Sequence, residues 1–217
     1  MSLARRVAFH FSGRNRHKKW DFFMRHFRPE ERLTVLDIGY SEEELSANHN
    51  YIEKHYPYQH RLTALGIDAP SRMAARYPQA TFVQFAGRDF PFADQAFDIA
   101  WSNAVLEHVG DRTHQVKFVS EINRVAKSFF FTTPSAHFPV EVHTLTPLVH
   151  LLGKQVFDRY LALVGKAWAT GDYMHLLNLR QLHAILHEAG VRDYSVRVNR
   201  LLGFPLEYWV YSAPCRA

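Results

Sequence analysis

The sequence has 217 residues, of which 47% are hydrophobic and 22% are charged. This composition excludes a disordered chain, and the length suits one domain over residues 1–217 rather than two. No run of about 18 uncharged apolar residues occurs, so no membrane-spanning helix is predicted. The first 11 residues are too short an apolar stretch for a secretory signal, and the single cysteine, Cys215, cannot form an internal disulfide. We therefore expect a cytoplasmic protein.

Basic residues outnumber acidic residues, 26 against 21, and many of them precede the first predicted strand. We predict a basic N-terminal helix within residues 1–29, where Trp20, Phe23, Met24 and Phe27 recur at helical spacing. A solvated helix is the simpler interpretation of this segment. Because aromatic residues are interleaved with the charges, peripheral contact with a membrane surface stays open as an alternative.

Short apolar runs alternate with helical patterns along most of the chain. We predict strands at 33–38, 62–67, 81–85, 97–102 and 129–133, and helices at 15–27, in part of 42–55, at 71–76 and at 112–125. Parallel neighbours need long crossovers, and nearly continuous apolar strands are typical of a sheet covered on both faces. Later residues predict helices at 145–167 and 179–189, then strands at 191–198 and 206–211 joined by a turn at 203–205.

These elements predict an α/β fold with a Rossmann-like, doubly wound, mostly parallel seven-stranded sheet. The last two strands are expected to form an antiparallel pair at the sheet edge. Residues 138–175 are expected to form a helical insertion with Lys154, Arg159 and Lys166 along one side. This insertion is predicted to pack on the sheet, to cap a substrate pocket or to touch a membrane.

Ligands of such sheets bind beyond the carboxyl ends of the strands, which directs attention to the first turn. This turn has one glycine, Gly39, followed by the acidic residues 42–44, whose charge would repel a pyrophosphate. The acidity suits a ligand with an ammonium or sulfonium group, and S-adenosylmethionine has both and no phosphate. Asp68, at the end of the second strand, is a candidate for the ribose hydroxyls. A solvated helix start for the glutamates, and a turn or helix cap for Asp68, are the alternatives.

Four motifs occur in order along the chain: 35–39 (VLDIG), 66–68 (GID), 88–92 (RDFPF) with 97–100 (FDIA), and 102–109 (SNAVLEHV). In this order and spacing they resemble class I S-adenosylmethionine-dependent methyltransferases, of the methyltransferase type 11 kind. The resemblance covers roughly residues 30–135, and the final helix and strand pair match as well. Residues 133–135 and 138–143 resemble a bacterial subgroup that is often associated with cell-surface polysaccharide or lipid-linked sugar pathways.

The resemblance implies S-adenosylmethionine as the cofactor, bound by residues at the ends of the first four strands: Asp37, Gly39, Tyr40, Ser41, Asp68, Gly87, Arg88, Asp89 and Ser102. The sequence departs from the family at three positions. Ser41 and Glu43 stand where two further glycines are usual, and Ala86 stands where an acidic residue usually takes the adenine amino group. Adenine recognition is then expected to use backbone groups of Gly87 and Arg88, or Asp89.

Methyl transfer is an in-line displacement, so the protein mainly aligns the acceptor and removes its proton. His108, with Glu107 beside it, is the candidate base because histidine titrates near neutral pH. His143, with Glu141, is the candidate second pair across the acceptor pocket. Helix capping and other structural roles are the alternatives for both pairs. Tyr40 and Trp101 are candidates for cation–π contact with the sulfonium, although Trp101 is expected in the core.

We expect no metal, because the histidine pair His183 and His187 lacks a further ligand; residues His137, Glu141 and His143 form a better but still unfavoured set. The predicted function is methyl transfer to a small-molecule or glycan acceptor, including a lipid-linked sugar, at oxygen. A degenerate, non-catalytic binding module on the same fold is the alternative, motivated by Glu43 and Ala86. Nucleic acid is an unfavoured partner, since no base-methylating motif is present. The sequence leaves the oligomeric state open.

Overall fold

The computed structural model describes residues 3–44, 46, 48–87 and 89–215, with side chains from residue 12 onward. The α-helices are α1 (Leu3–Phe27), α2 (Tyr51–His55), α3 (Ser71–Arg76), α4 (Arg112–Val125), α5 (Lys154–Leu163) and α6 (Leu179–Glu188). The strands are β1 (Val35–Ile38), β2 (Leu62–Gly66), β3 (Thr81–Gln84), β4 (Phe97–Asn103), β5 (Ala126–Pro134), β6 (Val140–Glu141), β7 (Thr146–Pro147), β8 (Ser195–Leu201) and β9 (Phe204–Tyr211). None of the described helices is long and apolar enough to cross a membrane.

Seven of the strands form a mixed sheet in the order β3-β2-β1-β4-β5-β9-β8, and β6 pairs with β7 in a separate small sheet. Strand β2 is parallel to β1 and to β3, with Val35 opposite Leu62 and Thr63 opposite Thr81. Strand β9 is antiparallel to both β5 and β8. The four residues of β1 are all buried, as expected for a strand covered on both faces. The predicted fold class is therefore confirmed.

The chain forms two compact units, which are described separately below. The first unit comprises Met1–Trp101, Val125–Ser128 and Ala213–Ala217, and the second comprises Ser102–Arg124 and Phe129–Ser212. A single domain over residues 1–217 stays a prediction.

The predicted helix within residues 42–55 is confined to Tyr51–His55. The preceding loop is held by side-chain hydrogen bonds instead. The Asn50 Oδ1 accepts from the Ser41 backbone N–H at 2.9 Å, and its Nδ2 donates to the Ser41 carbonyl at 2.7 Å. Asn50 also has a left-handed backbone with φ of 47°. Such local side-chain bonds compete with helix formation and explain why the helix begins late.

The single helix predicted over 145–167 is wrong. Strand β7 occupies Thr146–Pro147, a 3-10 helix covers Val149–Leu152, and α5 begins only at Lys154. Positive φ angles at Leu148 (60°) and Gly153 (96°) interrupt the helical path. The hairpin turn between β8 and β9 lies at Leu202 and Gly203, both with positive φ, as a type I′ turn requires, so Pro205 belongs to β9 rather than to the turn.

Candidate active site

In the first unit, the ends of β1 and β2 are joined by close contacts. Gly39, with φ of 108°, donates its N–H to the Leu65 carbonyl at 2.8 Å. The buried Tyr40 donates its hydroxyl to the Asp68 carbonyl at 2.6 Å. A Cβ atom on Gly66 would lie 2.7 Å from Cδ1 of the Tyr40 ring, so only glycine fits at that position. Tyr40, which is predicted to bind the cofactor, therefore also holds the ends of β1 and β2 together.

Asp68 lies half-buried just after β2, in the position where a ribose ligand is expected. Its Oδ2 accepts from the Glu42 backbone N–H at 2.9 Å. Its Oδ1 accepts no hydrogen bond from the described residues and stays available to a hydroxyl donor. The Asp68 carboxylate at the end of β2 can therefore accept a hydrogen bond from a ribose hydroxyl of a nucleoside cofactor.

The acidic residues of the first turn are largely neutralised by neighbouring basic residues. Glu42 pairs with Arg72 at 3.4 Å. Glu44 forms ion pairs with Arg76 at 2.6 Å and with Lys54 at 3.4 Å. Only Glu43 is exposed. Two of the three carboxylates thus act within the loop, and the expected attraction for a cationic ligand is weaker than their number suggests.

Asp37, predicted to bind the cofactor, is buried beside the fully buried Glu53 of α2. Burial raises the pKa of both carboxyls, and the charge of Glu53 raises the pKa of Asp37 further. Asp37 therefore lies in a buried environment of its own unit, where a second buried carboxyl disfavours its charged form.

The other predicted cofactor residues have diverse surroundings. Gly87 and Asp89 lie in an exposed loop after β3, and Arg88 lies outside the described residues. Ser102 is buried in the second unit, at the end of β4. Trp101 is buried in the first unit, 4.9 Å from the Phe23 ring centroid, so its expected core position is confirmed.

In the second unit, Glu107 and His108 belong to the 3-10 helix Leu106–His108. Glu107 is 0% exposed. Its Oε2 accepts from the Thr133 hydroxyl at 3.0 Å, whereas its Oε1 has no hydrogen-bond partner among the described residues. That oxygen lies 3.8 Å from His108 Nε2 and 3.9 Å from His143 Nε2. Burial raises the pKa of Glu107, although the two histidines oppose the increase.

His108 and His143 meet through their Nε2 atoms, which are 3.2 Å apart. His108 Nδ1 lies 2.7 Å from the Tyr173 carbonyl, which can only accept, so this nitrogen carries a proton. His143 Nδ1 lies 2.8 Å from a carboxylate oxygen of Glu141, so it is protonated by the same reasoning. Two neutral rings would then face each other with lone pairs. The contact is favourable when one proton, or another cation, lies between the two Nε2 atoms.

Glu141 orients His143. Its carboxylate accepts from the His143 backbone N–H and from the backbone and side chain of Thr144. Burial alone would raise the pKa of Glu141, but these bonds and the His143 charge lower it to about 2. Burial likewise lowers the pKa of His143, yet the Glu141 hydrogen bond and the Glu107 charge outweigh it and leave that pKa raised.

Two cavities lie within the second unit. One of about 280 Å³ is lined by His108 and by acidic and basic neighbours that include Asp111, His114 and Asp172. Another of about 400 Å³ is lined by mainly apolar residues around Phe157, Met174 and Leu177. His108 borders the first cavity, whereas Glu107 and His143 are not among its lining residues.

Sequence reasoning found His108, Glu107 and His143, and it quoted Thr133 within the motif 133–135 without giving it a role beside Glu107. It missed Tyr173, which contributes a backbone carbonyl, for which a side-chain pattern gives no signal.

The comparisons with known proteins agree with this architecture. Residues 36–129 match the family described as Methyltransferase domain. A Methanosarcina mazei S-adenosylmethionine-dependent methyltransferase has the same fold, with a TM-score of 0.51 and 19% identity over 87% of this chain and 95% of that one. Phosphoethanolamine N-methyltransferase 2 of Haemonchus contortus, in complex with S-adenosylmethionine, gives a TM-score of 0.59 and 13% identity over 92% of this chain and 53% of that one. The chain therefore has the class I methyltransferase fold.

Two curated proteins are similar to part of this chain in sequence. The dimethylglycine N-methyltransferase of Parasynechococcus marenigrum is 31% identical over 141 residues, which are 63% of this chain and 46% of the relative. A glycine/sarcosine/dimethylglycine N-methyltransferase of Actinopolyspora halophila is 33% identical over 64 residues, 30% of this chain and 11% of the relative. Residues 36–129 are thus similar to the methyltransferase domain family, and part of the chain is similar to these two N-methyltransferases. It spans less than half the length of these curated relatives.

Proposed function

We propose that this protein transfers the methyl group of S-adenosylmethionine to an oxygen of a small-molecule acceptor. The observation that carries the proposal is the meeting of His108 Nε2 and His143 Nε2 at 3.2 Å, beside the unpartnered Oε1 of Glu107. A hydroxyl is a poor nucleophile until its proton is removed, so such an acceptor needs a base. The cavity of about 280 Å³ next to His108 favours a small acceptor.

The first unit supplies the residues that would hold the cofactor. The free Oδ1 of Asp68 is suited to a ribose hydroxyl, and the tight turn at Gly39 exposes backbone to the ligand. When bound, S-adenosylmethionine supplies a sulfonium methyl group that is already activated for displacement. Tyr40 positions Asp68 through its hydroxyl bond to the Asp68 carbonyl.

The second unit supplies the group that takes the proton. In the neutral pair, His108 and His143 both carry their protons on Nδ1 and present two Nε2 lone pairs. A proton from the acceptor hydroxyl is then shared between the two Nε2 atoms. The buried carboxylates of Glu107 and Glu141 stabilise the resulting positive charge.

Replacing His108 by alanine tests this role. We expect kcat to fall by about 10²- to 10⁴-fold, the usual contribution of a general base, with cofactor affinity unchanged. Calorimetric titration with S-adenosylhomocysteine measures affinity, and mass spectrometry of acceptors incubated with S-adenosylmethionine measures transfer. A variant with the activity of the wild type would refute the role of His108.

The same titration separates catalysis from the alternative of a non-catalytic module. A folded protein that binds no cofactor would support the module and argue against methyl transfer. Cofactor binding together with methylation of an acceptor would exclude the module.

A nitrogen acceptor is the second candidate. The named relatives methylate amines, and Asp111 and Asp172 line the cavity beside His108, where their charge suits an ammonium group. Identifying the methylated atom by NMR of the product decides between ether and amine. An amine product would overturn the oxygen assignment while leaving methyl transfer intact.

A lipid-linked glycan is a narrower version of the proposed acceptor. Exposed apolar side chains at Leu148, Leu151, Leu152, Val156 and Trp168 in the insertion support contact with a membrane surface. Co-sedimentation with anionic vesicles, compared between the wild type and Trp168→Ala, tests this contact. An equal fraction of sedimented protein with and without vesicles would exclude the membrane contact.

A further inference from the structure

We propose that His108 Nε2, His143 Nε2 and Glu107 Oε1 form a binding site for a divalent transition metal of the Zn²⁺ type. All three residues belong to the second unit, and their ligand atoms lie within 4.8 Å of one another. This cluster, called the Glu107 triad below, has not been assigned a metal by the sequence patterns.

The spacing of the triad matches a metal coordination sphere. Zn²⁺ bonds of about 2.0–2.1 Å in tetrahedral geometry place neighbouring ligand atoms about 3.3 Å apart. The two Nε2 atoms are 3.2 Å apart, and Glu107 Oε1 lies 3.8 and 3.9 Å from them. A small movement of the Glu107 carboxylate would therefore place all three ligand atoms at tetrahedral positions around one metal ion.

The orientation of the rings also favours a common ligand point. The ring planes are nearly perpendicular at 88°, and the ring centroids are 4.8 Å apart. The rings thus lie side by side rather than end to end. In this arrangement two nitrogen lone pairs can converge on one cation.

Every triad residue is held by a second contact on its other polar atom. His108 Nδ1 donates to the Tyr173 carbonyl, and His143 Nδ1 donates to the Glu141 carboxylate. Glu107 Oε2 accepts from the Thr133 hydroxyl. Protein metal sites use such outer contacts to fix the ring tautomer and to aim the ligand atom. In each residue the polar atom that is already hydrogen-bonded leaves the second one free. The three free atoms face one another.

A bound cation would also explain why Glu107 Oε1 is buried without a hydrogen bond. Glu107 is fully buried, and its Oε1 has no hydrogen-bond partner among the described residues. Buried carboxylate oxygens are normally paired or bound to metal. The Oε1 is aimed at the two Nε2 atoms, which is where the metal would lie.

The donor set indicates the kind of metal. Two imidazoles and one carboxylate suit Zn²⁺ or Fe²⁺ better than Mg²⁺ or Ca²⁺, which prefer oxygen ligands. Methyl transfer changes no oxidation state, which favours Zn²⁺. Three protein ligands leave a fourth position open, as in catalytic zinc sites.

The inference rests on the proposed methyl transfer but replaces its base: with both Nε2 lone pairs bound to a metal, the two histidines are ligands, and the metal instead of the histidine pair activates the acceptor. A hydroxyl bound at the open position would have a lowered pKa, as zinc-bound water does. Its proton would leave to solvent, its oxygen would form the bond to the methyl carbon, and the C–S electron pair would return to sulfur. An oxygen acceptor fits this role, whereas a metal-bound amine would have no free lone pair.

The site is tested on the full-length protein after removal of metals with a chelator. Calorimetry with Zn²⁺ should give one site per chain, and Co²⁺ should give the intense visible absorption of a tetrahedral complex. In His108→Ala and His143→Ala we expect Zn²⁺ affinity to fall at least 100-fold. His183→Ala, on an exposed helix position of the same unit, is the matched control and should bind as the wild type does.

Glu107→Gln keeps the shape of the side chain and guards against misfolding of the alanine variants. Its Zn²⁺ affinity should fall at least 10-fold with an unchanged circular dichroism spectrum. No binding by the wild type, or equal binding by all triad variants, overturns the proposal. Zn²⁺ binding without methyl transfer refutes the proposed function alone, and full activity in metal-free protein refutes only the role of the metal in the reaction.

Discussion

The contact between Gly66 and Tyr40 gives the sharpest stability prediction. A Cβ at position 66 would lie 2.7 and 2.8 Å from two Tyr40 ring carbons and 2.9 Å from the Tyr40 carbonyl oxygen. Carbon atoms normally approach to about 3.5–4.0 Å, so Gly66→Ala must displace the ring or the strand. The Tyr40 ring cannot withdraw freely, because it is buried with Ala64, Met73 and Tyr77.

Overpacking of a filled core costs about 1–3 kcal/mol, and we expect about 2 kcal/mol for Gly66→Ala. In a chain of this size each kcal/mol lowers Tm by about 2–4 °C, so the expected decrease is about 4–8 °C. Displacement of Tyr40 should also loosen its bond to the Asp68 carbonyl and weaken binding of S-adenosylhomocysteine.

Urea unfolding and calorimetry measure the two effects. For the unfolding measurement, Gly87→Ala is the matched control, because its Cβ would lie 3.6 Å from the nearest atom, an ordinary contact. A free energy of unfolding for Gly66→Ala within about 0.5 kcal/mol of the wild type, the usual effect of a surface substitution, would refute the reasoning. It would show that Tyr40 and β2 can move apart at little cost.

Three further predictions concern single side chains. Asn178 forms a capping box with Gln181 at the start of α6, so Asn178→Ala should destabilise by about 1 kcal/mol in urea unfolding, and Asn178→Gly by less. The buried Tyr56 hydroxyl has no partner among the described residues, so Tyr56→Phe should raise the free energy of unfolding by about 1 kcal/mol, and a decrease would contradict this. Burial alone would raise the pKa of Asp98, but hydrogen bonds from Lys127 and Thr34 lower it. The Asp98 carboxylate therefore contributes fully to stability above its unfolded pKa of about 4, and this contribution is lost as the pH falls through the folded pKa. The free energies of unfolding of the wild type and Asp98→Asn should differ by about 1 kcal/mol at pH 7 and converge below about pH 4.

Local sequence signals predicted much of the sheet and two helices. Helices α3 and α4 have the predicted bounds, because their apolar residues recur with helical spacing and Pro70 precedes the first. The five parallel-type strands lie within a few residues of prediction, since each is a short apolar run that must be buried. Parallel pairing followed from the need for long crossovers between parallel neighbours, whereas the order of the strands comes from the structure alone.

The same signals were wrong where side-chain hydrogen bonds or left-handed backbone angles within the segment override helical propensity. Asn50 holds the loop after β1 out of the helical conformation through its bonds to Ser41. The insertion is broken at Leu148 and Gly153 by positive φ angles. Neither the amide geometry nor a left-handed leucine can be inferred from apolar periodicity.

The residue types of the candidate site came from the sequence, but their chemistry came from tertiary structure. Motif order and the rule for strand ends selected Glu107, His108 and Asp68 without any coordinates. Only the folded second unit brings His143, 35 positions along the chain, to 3.2 Å from His108 and supplies the Tyr173 carbonyl that fixes the tautomer. The sequence determines which groups can titrate or ligate. Their distances, burial and partners determine whether a proton or a metal ion is shared, because electrostatic interactions depend on separation and surroundings rather than on position in the chain.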